Sequence, residues 1–191
     1  MMTPRKPQAN ESSEYFKKYI NLVETENVVT ALNNGLTAIE QFFRECPKNK
    51  WDYAYAEGKW TIKEVLIHMM DAERILAYRA LRIARNDATS LPGFDQDEFT
   101  PFMNAANRSV ESIWSEYRAV RMATIALFEN LDDAASSRIG TASNDPASPL
   151  AMAFVIAGHE IHHMNTVREK YAEMQKCRKA ESSKQLAVGS W

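Results

Sequence analysis

Four stretches of the chain place apolar residues three and four positions apart, and this spacing constrains the fold more than any other feature. It is the pattern of helices that bury one face. The stretches cover about residues 26–46, 61–86, 109–131 and 148–176, and turn-forming residues separate them. The pattern predicts an all-α four-helix bundle, with long connections between helices 2 and 3 and between helices 3 and 4.

Local signals place the ends of these helices. Thr61 lies three residues before Glu64, which is the pattern of a capping box at a helix N-terminus. Pro47 ends the first stretch, and Pro149 stands near the start of the fourth, where proline is well tolerated. A short helix or a wrapping arm is predicted over about residues 15–23.

Both ends of the chain differ from its middle. Residues 1–12 are polar and contain proline, and residues 178–191 lose the helical periodicity. We therefore expect an N-terminal tail over 1–12, one bundle domain over 13–177 and a C-terminal tail over 178–191. A chain of 191 residues is long enough for one domain with its own core.

Charge and cysteine content narrow the function classes. The chain has 25 acidic and 23 basic residues, which disfavours nucleic acid as a partner. It shows neither the apolar core of a signal peptide nor an apolar run long enough to span a membrane, so we expect a cytoplasmic protein without a membrane partner. Cys46 and Cys177 form neither a disulfide framework nor a C-x-x-C site.

The four histidines are His68 in the second stretch and His159, His162 and His163 in the fourth. His159 and His163 are four residues apart, so a helix would project both from one face, about 6 Å apart. His68 would complete a three-nitrogen metal site with open positions for water or substrate. His162 points away from the pair, and we expect it to have a supporting, interface or solvent role. Chance clustering on a surface is the alternative.

Other polar residues interrupt the apolar stripes. Glu73 and Arg121 do so on the second and third helices, and the cost of a lone buried charge predicts that they form an ion pair. The first half of the fourth helix is apolar on both faces, so one face is expected in the core. The other apolar face is expected to form a subunit interface, so we predict a homodimer.

The segment His159-Glu160-Ile161-His162-His163 matches the H-E-x-x-H motif of zinc peptidases. The motif is short, and a peptidase usually presents an edge strand beside its substrate cleft. No sheet is evident in this sequence. The motif alone therefore does not assign Glu160 as a general base.

Three segments, in the same order, resemble the DinB-like superfamily of bacterial four-helix bundles: residues 55–74, 91–97 and 156–163. The resemblance covers about residues 15–176. It implies that His68, His159 and His163 bind a divalent metal. Members of that superfamily include metal-dependent transferases that join low-molecular-weight thiols, such as bacillithiol or mycothiol, to electrophiles.

This resemblance favours a metal-dependent thiol S-transferase with a small-molecule substrate. Three imidazoles accept Zn²⁺, Ni²⁺, Mn²⁺ or Fe²⁺, so the metal stays open. The first alternative is a metal-dependent hydrolase in which Glu160 or Asp71 moves the proton, and a carboxylate close to the ion would favour it. The second is a non-catalytic metal-binding protein of a stress response. No catalytic residue is assigned beyond the metal ligands.

Overall fold

The computed structural model of the chain describes the backbone of residues 2–188 and the side chains of residues 2–170. The α-helices are α1 Glu14–Ile20, α2 Val28–Glu45, α3 Ile62–Ala84, α4 Gln96–Phe99, α5 Val110–Glu129, α6 Asp133–Ser136 and α7 Pro149–Val188. Strands β1 Gly140–Ala142 and β2 Asp145–Ala147 form an antiparallel hairpin. The prediction of an all-α fold is confirmed, with this hairpin as a small addition.

The bundle consists of α2, α3, α5 and α7. Helix α3 packs against α5 and α7, and α2 packs against the same two helices. Helices α2 and α3 are therefore diagonal partners, as are α5 and α7. Helix α1 lies on the outside of the bundle against α7.

Side-chain caps begin the bundle helices where the sequence predicts. The hydroxyl of Thr61 accepts a hydrogen bond from the Glu64 amide at 3.2 Å, and the Glu64 carboxylate accepts one from the Thr61 amide at 2.7 Å. The side chains of Asn27 and Ser109 cap α2 and α5 by accepting a hydrogen bond from the Thr30 and Ser112 amides. Each cap provides an acceptor for an amide that has no partner inside the helix.

The two long connections meet at one end of the bundle. The Leu91 amide donates to the Thr141 carbonyl at 3.0 Å, and the Ser143 amide donates to the Leu91 carbonyl at 2.9 Å. Ser143 and Asn144 turn the hairpin with φ of 54° and 68°. The sequence analysis did not predict this hairpin, because strands of three residues are too short to show an alternating pattern.

The core consists of two apolar clusters stacked along the bundle axis. The first contains buried residues from α1 and from the parts of the bundle helices nearer to it, including Leu32, Leu76, Phe128 and Phe154. The second lies towards the other end and contains Ile39, Leu66, Ile113 and Met164. Three buried charged residues separate the two clusters. Along each helix, the charged residue comes between the residues of one cluster and those of the other: Glu73 on α3, Arg121 on α5 and Glu160 on α7.

One apolar face of α7 is covered by the same chain. Residues 150–160 are all buried, and α1 packs against α7 beside them. This is the face from which the sequence predicts a subunit interface. Because α1 covers this face, its apolar character is no longer an argument for a homodimer. The homodimer itself stays a prediction.

The ends of the chain extend the bundle. Glu11 is buried, pairs with Arg5 at 2.7 Å and accepts a hydrogen bond from the Ser148 hydroxyl at 2.8 Å, so this end of the predicted N-terminal tail packs on the bundle. The backbone of α7 runs past the predicted helix end near residue 176. Residues 189–191 of the predicted C-terminal tail and the Cys177 side chain lie outside the described residues, and the boundaries at 12 and 177 stay predictions. Within residues 2–188, no helix has the length and apolarity needed to cross a membrane.

Candidate metal centre

Helices α3 and α7 bring three histidines together. His68 lies in the second turn of α3, and His159 and His163 lie one turn apart on the facing side of α7. The Nε2 atom of His159 is 3.1 Å from that of His68 and 3.0 Å from that of His163. The structure thus unites the three residues that the sequence analysis selects, which we call the histidine cluster.

The histidine cluster has the geometry of a metal site. Ring nitrogens of its three members all lie within 4.8 Å of one another. Nitrogen ligands about 2.1 Å from one ion are about 3.0–3.4 Å apart, depending on the coordination angle. The separations of His159 from His68 and from His163 fall in that range, and three neutral imidazoles are a donor set that binds a divalent ion.

Burial keeps these imidazoles neutral. His68 and His159 are buried and His163 is half-buried. Burial lowers the pKa of His68 to about 4, and burial together with the neighbouring His68 and His162 lowers the pKa of His163 to about 3. The pKa of His159 is likewise lowered well below its usual value by burial and by the adjacent imidazoles. A neutral imidazole offers the lone pair that a metal requires.

Aromatic rings enclose the histidine cluster. The Tyr19 ring of α1 meets the His159 ring edge-on, with 5.3 Å between centroids, and the Trp60 ring lies 4.7 Å from the His68 ring. Gly158 permits the approach of α1, because a Cβ atom there would lie 1.9 Å from the Tyr19 carbonyl oxygen. The small residue beside His159 thus determines how closely Tyr19 covers the site.

A cavity of about 400 Å³ opens onto His68 and His159. This is the size range of sites for small molecules. Side chains from α1, α3, α7 and both long connections line it: Ser13, Tyr15, Phe16, Tyr19, His68, Ala72, Leu76, Arg79, Phe94, Asp95, Gln96, Asp97, Ser143, Asp145, Val155 and His159. On α3, His68, Ala72, Leu76 and Arg79 follow a helical spacing of four and three residues, which is the sequence signal for this wall.

His162 lies outside the group of three nitrogens. Its side chain is exposed, and its ring contacts the rings of Tyr19 and His163 with centroid separations of 5.5 and 5.2 Å. This placement matches the predicted supporting or solvent role. It also leaves His162 as a natural control for substitutions in the histidine cluster.

A second buried polar group lies on another side of α7. Arg121 donates to Glu73 from Nε at 2.9 Å and from Nη2 at 2.8 Å, which confirms the predicted ion pair. Glu160 joins them, accepting from Nη2 at 2.7 Å and from Nη1 at 3.2 Å. The Tyr117 hydroxyl donates to the same carboxylate. We call Glu73, Tyr117, Arg121 and Glu160 the arginine cluster.

The arginine cluster links all four bundle helices. Arg121 also donates to the Leu32 carbonyl of α2 at 3.1 Å. Although burial disfavours the guanidinium cation, Glu160 and Glu73 raise the pKa of Arg121, and burial together with Glu160 raises that of Tyr117. Gly35 of α2 leaves room for these groups, because a Cβ atom there would lie 2.1 Å from Glu160 Oε1.

These contacts decide the role of Glu160. Both of its carboxylate oxygens are engaged by Arg121, and one also by Tyr117, so it is not available as a general base. Asp71, the other proposed base, pairs with Arg74 at 3.6 Å and is not among the residues that line the cavity. The sequence analysis missed the link to Glu160, although the rule that pairs Glu73 with Arg121 applies to any buried carboxylate.

Comparison with known proteins agrees with this fold. YfiT from Bacillus subtilis, described as a probable metal-dependent hydrolase with an unusual four-helix bundle topology, has a similar structure. Its TM-score is 0.70 at 16% identity, over 89% of this chain and 93% of YfiT. No protein of curated function matches the sequence significantly. The sequence profile of the DinB superfamily matches residues 31–167, which is most of the chain. The chain therefore belongs to the DinB superfamily.

Proposed function

We propose that this protein is a metal-dependent thiol S-transferase acting on a small electrophile. The observation that supports the proposal is the convergence of three neutral imidazoles, His68, His159 and His163, of which the first two lie at the wall of a cavity of about 400 Å³. One substrate would be a low-molecular-weight thiol and the other the electrophile. The cavity volume matches small molecules.

The residues of the site would have different roles in this reaction. The three imidazoles would hold a divalent ion, which lowers the pKa of a thiol or water molecule that binds to it. Tyr19 and Trp60 cover the rings and limit the access of water. Thiol transfer suits the site because it needs no carboxylate base, and Glu160 is held by Arg121.

Metal-dependent hydrolysis is the second candidate. The carboxylates of Asp95, Asp97 and Asp145 line the cavity, whereas Glu160 and Asp71 do not, so the base would be one of these three. YfiT, which shares the fold, is described as a probable metal-dependent hydrolase. Hydrolysis would thus use the same imidazoles with a different nucleophile.

The test begins with elemental analysis of untagged protein to identify the metal. Protein stripped with a chelator is then reloaded separately with Zn²⁺, Ni²⁺, Mn²⁺ or Fe²⁺. Each form is incubated with bacillithiol, mycothiol, glutathione or cysteine and a generic alkylating electrophile, and thiol consumption is measured. Parallel reactions without thiol contain ester and amide substrates.

Metal-dependent thiol consumption that is lost in His68→Ala and kept in His162→Gln would support the transferase. Turnover of esters or amides without thiol would favour the hydrolase, and a comparison of Asp95→Asn, Asp97→Asn and Asp145→Asn would then identify the base. Metal binding with neither reaction would contradict both and favour the non-catalytic reading. Sedimentation equilibrium on the same samples tests the predicted homodimer.

A further inference from the structure

Arg79 is a buried cation without a carboxylate partner. Its side chain is only 3% exposed, yet no Asp or Glu oxygen among the described residues lies within 4.0 Å of it. Its hydrogen bonds go to neutral acceptors, the Pro92 carbonyl and the Ser143 hydroxyl, the latter at 3.2 Å. Both bonds use Nη2, so Nε and Nη1 have no acceptor in the described part of the chain.

Comparison with Arg121 shows how unusual this arrangement is. Arg121 is buried more deeply than Arg79 and pairs with two carboxylates, Glu73 and Glu160. A buried charge without a counter-ion is costly, and burial lowers the pKa of Arg79. The missing charge is therefore expected to come from a group outside the chain.

The position of Arg79 indicates where that group would bind. Arg79 and His68 line the same cavity and lie on the same stripe of α3, with Ala72 and Leu76 between them. Eleven residues of helix correspond to about 16 Å between their Cα atoms. The small side chain of Ala72 leaves space along this wall. One ligand could thus extend from the guanidinium towards the histidine cluster.

The acidic residues of the cavity do not replace this partner. Asp95 and Asp97 are exposed, and Asp95 accepts a hydrogen bond from the Asp97 amide at 2.9 Å. Asp145 is half-buried on the hairpin, and none of the three is within ion-pair distance of Arg79. Water screens the exposed carboxylates more than it screens the buried guanidinium.

The geometry points to an anion site at Arg79: the cavity binds a small molecule whose carboxylate accepts a hydrogen bond from Nε or Nη1, with its other end directed towards His68 and His159. A hydrogen bond from a guanidinium to a carboxylate is charge-assisted and is roughly twice as strong as one between neutral groups. The site specifies the substrate class of the proposed enzyme, and it rests on the proposed function only for the reacting end of the molecule.

The first experiment measures anion binding without catalysis. The Arg Nε–H resonances of ¹⁵N-labelled, metal-free protein are recorded while sodium succinate is added, with sodium chloride at equal ionic strength as the reference. Arg79→Lys assigns the Arg79 signal, and exposed Arg85 is the internal control. A saturable shift at Arg79 with succinate, but not with chloride or at Arg85, is expected. Equal shifts at Arg79 and Arg85, or an Arg79 signal that succinate leaves unchanged, would overturn the anion site.

The second experiment uses the metal-loaded enzyme with two electrophiles that differ only by a carboxylate or its amide. In Arg79→Gln, kcat/KM for the carboxylate is expected to fall about thirtyfold, while that for the amide changes less than about threefold. Equal losses for both would assign Arg79 a purely structural role that holds Pro92 and Ser143. If no electrophile is turned over, the proposed function fails while the resonance titration still decides the anion site.

Discussion

Two buried polar clusters lie on different sides of α7, and they differ in how completely they satisfy their own groups. In the arginine cluster, the guanidinium meets two carboxylates and a carbonyl, and Tyr117 donates to one of those carboxylates. In the histidine cluster, three neutral ring nitrogens face one another without an opposite charge. The first cluster is complete without a ligand, whereas the second has lone pairs that a cation would satisfy.

The difference teaches how to separate structural from functional polar groups in this core. His159 and Glu160 are adjacent in sequence and both buried, so neither burial nor position distinguishes them. Their partners do, because a network that pairs its charges internally stabilises the bundle. A network that leaves acceptors unpaired binds something else. Substitutions in each cluster test this division.

The largest effect is expected for Arg121→Met. This change leaves Glu73 and Glu160 buried without a cation, which costs about 3–5 kcal/mol of the free energy of unfolding. Urea unfolding monitored by circular dichroism measures the loss. Arg118→Met, on the exposed side of the same helix, should change stability by less than about 0.5 kcal/mol. Equal stability of both variants would show that the arginine cluster does not stabilise the bundle.

For His68→Ala, in the histidine cluster, the main effect is expected on metal binding. Loss of one of three imidazoles should weaken metal binding at least about a hundredfold, which corresponds to about 3 kcal/mol. Titration calorimetry on chelator-stripped protein measures this change. His162→Ala should keep the affinity within about threefold, since its ring is outside the group of nitrogens. If both variants bind metal equally, the histidine cluster is not the metal site.

Acid should also act on the histidine cluster. The pKa of His68 is about 4 in the folded protein and about 6.5 in the unfolded chain, so the unfolded state binds more protons between these values. The stability due to neutral His68 is complete above about pH 6.5 and decreases as the pH falls towards 4. At pH 4.5, metal-free wild type should have lost about 2.5 kcal/mol more than His68→Gln. Parallel pH curves for the two proteins would contradict the low pKa.

The smallest effect concerns the space around the arginine cluster. Gly35→Ala adds a Cβ atom 2.1 Å from Glu160 Oε1 and 2.7 Å from Arg121 Nη1. Glycine in a helix normally costs about 1 kcal/mol relative to alanine, so an increase in stability would be expected from helix propensity alone. We expect a net loss of about 1–2 kcal/mol instead. Thermal unfolding decides the sign, with exposed Asn34→Ala as the control.

The sequence predicts the helices and the pairing of His159 with His163 on one face well, because both depend on local spacing. The separation of His159 from His163 and the capping box at Thr61 are properties of a single helix. The partner of Glu160 could not be predicted in this way. The H-E-x-x-H motif is the same whichever neighbouring helix its glutamate faces. Only the rotation of α7 within the bundle determines that contact. The environment of Arg79 depends in turn on the paths of two long connections.

The consecutive positions of His159 and Glu160 couple the two clusters mechanically. The bonds from Arg121 to Glu160 restrain the rotation of α7 about its own axis. A side chain about 6 Å from the helix axis moves about 1 Å when the helix turns by about 10°. Displacements of that size change rates at a catalytic centre about a hundredfold. Residues of the arginine cluster can therefore change the relative placement of His68 and His159 without touching either, by setting the angle of one helix.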